Sequence, residues 1–121
     1  PGRSSVVQGV ASDKYGIGYS GIGYITSDVR AVPLSGDTGS NPEFMAAVAD
    51  NAYSGDYPLA RFLYLTINYK PGSELEALRR EFVSYVFSRD GQEGVIKDGY
   101  LPVPASVCAE ELRAVGITPN F

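Results

Sequence analysis

The sequence predicts an α/β chain in which a short mixed sheet is flanked by helices. Three observations carry that expectation. The run YPLARFLYLTINYKPGS, residues 57–73, is apolar on both of its alternating faces, the pattern of a strand covered on two sides. Helical patterns with recognisable start and stop signals lie on either side of it. The resulting order, α, β, α, β, α, α, α, is the alternation of a layered α/β arrangement.

Residues 4–14 read as the first helix. Val6, Val7 and Val10 share a face, and Ser4 or Ser5 is a candidate N-cap. Residues 16–34 read as extended. Ile17 and Tyr19, then Ile22, Tyr24 and Thr26, alternate with small residues, and the alternation breaks near Ser20-Gly21. Pro33 and the polar run Ser35 to Ser40 close the segment with turn chemistry. Residues 41–53 read as a second helix, with Asn41 as N-cap, Pro42 at the first helical position and Glu43 in the first turn. Phe44, Val48 and Ala52 repeat at helical spacing, and Ser54-Gly55-Asp56 ends the pattern.

In the strand-like run, Phe62, Tyr64, Thr66 and Asn68 fall on one side and Leu63, Leu65, Ile67 and Tyr69 on the other. Lys70-Pro71-Gly72 stops it. Ser73-Glu74-Leu75-Glu76 has the form of a capping box for a helix reaching about Ser88. Its expected buried stripe is Leu75, Leu78, Phe82 and Val86, with a Glu76–Arg80 pair on the exposed side. A further helix restarts at Ser88–Gly91 and runs to about Lys97, where Asp98-Gly99 ends it. YLPVP, residues 100–104, is extended because its prolines forbid helix. A last helix, about Ala105 to Val115, precedes Gly116 as its C-terminal glycine.

Composition narrows the function. The 121 residues amount to about one domain. The net charge of -4 and the scattered basic residues argue against nucleic acid or an anionic membrane as partner. No stretch is long and apolar enough to span a bilayer, and no signal-peptide pattern opens the chain. Pro1-Gly2-Arg3 resembles neither an initiation site nor a signal remnant, so the ends read as set by cleavage or design. There is no His, which removes the commonest general base and metal ligand. The single Cys108 lies in an apolar stretch and reads as a packing residue. No cofactor and no enzyme chemistry are expected from this set; a hydrolase would need a nucleophile–base pair or paired carboxylates in a recognisable setting.

Gly16-Ile17-Gly18-Tyr19-Ser20-Gly21 fits the G-x-G-x-x-G pattern of dinucleotide sites. That site needs a strand before the glycines and a helix after them. Here a helix precedes and an extended segment follows. The glycines are therefore expected to let another backbone or helix approach closely.

From residue 57 onward, YPLARFLYLTINYKPG and then FVSYVFSRDGQEGVIKDGYLPVP resemble the C-terminal part of the phosphate-binding proteins of bacterial ABC phosphate importers. VVQGVASDKYGIGYSGIGYI resembles an earlier segment of the same family, in the periplasmic-binding-protein superfamily. Gly16 stands where that family usually has Ala, and Phe87 where it usually has Leu. The resemblance implies a two-lobed fold, with residues 1–34 ending the second lobe and crossing between lobes, and residues 35–121 forming the returning part of the first lobe. It implies an extracytoplasmic receptor, periplasmic or extracellular and membrane-associated in the parent protein, that delivers inorganic phosphate to ABC permease subunits. The family's S-G-T-R anion motif would lie upstream of the matched region. Arg3, Ser4 and Ser5, at a helix start, are the candidate ligand contacts in these residues, by the physics of anion binding at helix N-termini. An element-exchanged homodimer is a further expectation. The alternative reading is a structural or interaction module of the same fold without a ligand.

Overall fold

The computed structural model describes residues 2–121, so the part of the N-terminal reading that rests on Pro1 lies outside them. The chain divides into two compact units, Pro1–Tyr64 and Leu65–Phe121.

Among the described residues the expected sheet is not there. The chain is 40% helical and 2% strand, and the strand content is one isolated antiparallel bridge between Leu34 and Met45. The α/β expectation is thus corrected to a mostly helical chain. The physical reason lies in what a period of two reports. It marks an extended backbone with two apolar faces, whereas a strand also needs a neighbour to complete its ladder. Residues 60–70 adopt no regular secondary structure, and between the Ala60 N–H bonded to Tyr57 O and the Ser73 N–H bonded to Lys70 O no described backbone hydrogen bond supplies that neighbour.

In the first unit, α1 spans Arg3–Ser12 and buries Val7. The glycine-rich segment returns along this helix. A Cβ on Gly18 would lie 2.9 Å from Val10 Cγ2 and 3.0 Å from Val6 Cγ1, so glycine is needed for backbone to approach these valines. The Ser20 hydroxyl donates to Arg3 O at 3.3 Å, which pins the segment to the first turn of α1. A single 3-10 turn, Ile22–Tyr24, then packs against the helix. The close-approach reading of the glycines is what the structure shows, and the dinucleotide arrangement is absent.

The second helix is shorter than its sequence signals suggest. Met45 exchanges two backbone hydrogen bonds with Leu34, at 2.9 and 2.8 Å, and this holds residue 45 out of a helix. Only α2, Ala49–Ser54, forms, and Gly55 at φ 83° ends it in the left-handed region. Asn51 Nδ2 donates to Ala46 O at 2.9 Å and so tethers the extended lead-in to the helix.

The second unit holds three helices. The capping box at Ser73 does not form. Gly72, at φ 81°, makes a turn in which the Ser73 hydroxyl donates back to Lys70 O at 2.6 Å. Helix α3 therefore starts later, at Ala77, and runs to Val86 with Glu76 as its N-cap residue. Glu76 pairs with Arg79 at 3.8 Å, and Arg80 pairs with Glu81 at 3.9 Å, in place of the expected Glu76–Arg80 pair. The buried stripe also differs. Leu75 and Val83 are buried, while Leu78 and Phe82 are 78% and 52% exposed.

Helix α4, Arg89–Lys97, forms where the sequence puts it. The Ser88 hydroxyl accepts from Gly91 N at 3.1 Å and donates to Tyr85 O at 2.7 Å, so one side chain ends α3 and begins α4. Asp90 in the first turn and Lys97 in the last complement the helix dipole. Helix α5 spans Ala105–Ala114 and buries Cys108 and Leu112, one turn apart. Both α4 and α5 end in the same motif. Gly99 N–H bonds Ile96 O and Tyr100 N–H bonds Val95 O; Gly116 N–H bonds Arg113 O and Ile117 N–H bonds Leu112 O. These crossed pairs around a left-handed glycine are the Schellman pattern. Replacing Ser88 with Ala is expected to lower stability by about 1 kcal/mol, read by urea unfolding followed by circular dichroism, while Ser88→Thr keeps most of it.

Gln92 joins the pieces. Its Nε2 donates to Val86 O at 2.8 Å and its Oε1 accepts from Val103 N at 2.7 Å, linking the end of α3, helix α4 and the proline segment.

Burial is thin throughout. Among the described residues the buried hydrophobic side chains are Val7, Leu75, Val83, Cys108 and Leu112. Tyr15, Ile17 and Tyr19 are 87%, 88% and 90% exposed. The chain exposes 9337 Å², whereas two separate compact bodies of half its mass would together expose about 7,600 Å². Most of the apolar surface that the sequence patterning marks for burial is uncovered.

Candidate functional site

Helix α1 positions the three candidate contacts. Arg3, Ser4 and Ser5 form its first turn and are all exposed. Gly2 is the N-cap, with φ -77° and ψ 165°, and offers no side chain to cap the helix. Its carbonyl instead accepts from Ser5 N at 3.0 Å and more weakly from Val6 N at 3.4 Å. The first turn keeps the partial positive charge of a helix N-terminus, which favours an anion.

Ser4 also lines a groove of about 280 Å³ with Gln8, Tyr24, Thr26 and Asp28. The groove sets these hydroxyls, an amide and one carboxylate beside the apolar side chains of Val7 and Ala11. Asp28 would repel a fully ionised oxyanion and would accept from one that keeps a proton. Arg3 is not among the groove-lining residues, so the structure brings Ser4 to this hollow without gathering all three candidates around it.

Polar residues elsewhere in the chain have local roles. Asp37 Oδ1 accepts from Gly39 N at 2.8 Å, and the Ser35 hydroxyl accepts from Asp37 N at 3.0 Å, so the Ser35–Ser40 loop is a self-bonded turn. Arg89 reaches Glu93 at 3.1 Å across one turn of α4. Arg61 takes part in none of the ion pairs among the described residues.

Cys108 lies at a second hollow, about 300 Å³, lined also by Phe87, Gln92, Val103 and Phe121. Burial pushes its thiol up from the ordinary value, against a smaller opposing pull from its own backbone N–H. The thiol donates to Val103 O at 3.6 Å. A protonated, inward-facing thiol is a poor nucleophile, in keeping with the packing role read from the sequence.

Gln92 escaped the sequence reading. A single glutamine inside an amphipathic helix gives no sequence signal for a residue that bridges two other segments. Among the described residues no polar or charged side chain is buried, and no group of three or more His, Cys, Asp or Glu is placed to hold a metal. No helix among them is long and apolar enough to cross a membrane.

Comparison with known proteins adds what the geometry leaves open. No family model matches the chain. It is 44% identical over 117 residues to the phosphate-binding protein PstS of Pseudomonas aeruginosa, an alignment covering 97% of this chain and 36% of that protein. It is 35% identical over 102 residues to the phosphate-binding protein PstS of Bacillus subtilis, covering 83% of this chain and 30% of that protein. It is 33% identical over 94 residues to the phosphate-binding protein PstS 2 of Streptococcus agalactiae, covering 78% of this chain and 28% of that protein. The chain therefore spans about a third of the length of the curated relatives it matches. Along nearly its whole length the chain is thus homologous to part of the phosphate-binding proteins named PstS.

Proposed function

We propose that the chain is part of an extracytoplasmic receptor that binds inorganic phosphate and hands it to the permease subunits of an ABC transporter. The observation that carries this reading is the 44% identity to a phosphate-binding protein over 97% of the chain. On this reading residues 1–34 and 35–121 belong to different lobes of the receptor, and the receptor works in the periplasm or at the cell surface.

The chain alone offers a phosphate ion one wall. Arg3, Ser4 and Ser5 are its candidate anion contacts, and they lie open to solvent on a single helix turn. Selective oxyanion binding requires donors that converge and exclude water, because an exposed hydrogen bond gains little over one to solvent. The remaining donors therefore come from the rest of the receptor.

The test is a chimera in which this chain replaces the matching 117 residues of the Pseudomonas aeruginosa protein. Titrated with inorganic phosphate and separately with sulfate, the chimera is expected to bind phosphate and to prefer it over sulfate by at least about 100-fold, roughly 3 kcal/mol. A folded chimera that binds neither anion would overturn the reading and leave the structural or interaction module, which the lack of any buried polar side chain among the described residues favours.

A further inference from the structure

We draw no further inference here: the strongest candidate, the hollow of about 300 Å³ in the second unit lined by Phe87, Gln92, Val103, Cys108 and Phe121, holds a lone cysteine with no second feature pointing to a ligand, and nothing in the structure shows what covers it.

Discussion

Replacing Gly91 with Ala is expected to destabilise the Leu65–Phe121 unit by about 3 kcal/mol, the upper range for forcing a methyl into a filled space. Gly91 is buried in the first turn of α4. A Cβ there would overlap the Tyr85 carbonyl oxygen and lie 2.9 Å from the Val86 carbonyl oxygen. Neither carbonyl can move freely. Tyr85 O accepts from the Ser88 hydroxyl and from Ser88 N, and Val86 O accepts from Gln92 Nε2. Shifting them would loosen the junction of α3 and α4 at several bonds together. Gly94, one turn later, is the control: nothing lies within 4 Å of its Cβ position. Gly94→Ala should stabilise the helix by about 0.5–1 kcal/mol through propensity alone. Urea unfolding of the two variants should therefore move in opposite directions. Equal small changes in both would show that the α3–α4 junction is not packed as described.

Leu112→Ala is expected to cost about 3 kcal/mol, within the range for emptying a buried leucine site. Leu112 is 3% exposed and shares the buried side of α5 with Cys108, in a unit whose only other buried hydrophobic side chains among the described residues are Leu75 and Val83. With so small a core, a loss of that size leaves the unit largely unfolded at room temperature. Leu78→Ala in the isolated chain should change stability by no more than about 0.5 kcal/mol, because Leu78 is 78% exposed. Thermal melts of the two leucine variants would settle which leucine is in the core.

Those two leucines show what was legible in the sequence and what was not. Local signals read true. The helix restart at Ser88–Gly91, Gly99 and Gly116 as helix terminators, and the prolines of residues 100–104 depend on backbone chemistry within a few residues, and each stands where the sequence puts it. Gly18 was legible in the same way, since a Cβ there would crowd Val6 and Val10. Apolar periodicity read less well. It marks Leu78 and Phe82 as faces to be covered, yet the cover is not contributed by this chain, and α3 buries Val83 instead. The same holds for residues 57–73, where alternation predicted a strand and no neighbour is present to make one. The Ser73 capping box failed for another reason: Gly72 offered the Ser73 hydroxyl a closer partner in Lys70 O.

The candidate site was legible only as a type of place. A helix start carrying Arg3, Ser4 and Ser5 suits an anion, and the structure puts all three in the exposed first turn of α1. What sequence patterning cannot supply is convergence, and a single open turn does not supply it either.

The most direct measurement is a calorimetric titration of the purified 121-residue chain with inorganic phosphate, run beside the chimera that restores the rest of the Pseudomonas aeruginosa protein. The account predicts no saturable heat from the chain alone and one phosphate per molecule in the chimera. Stoichiometric binding of phosphate by a monomer of the isolated chain would contradict it.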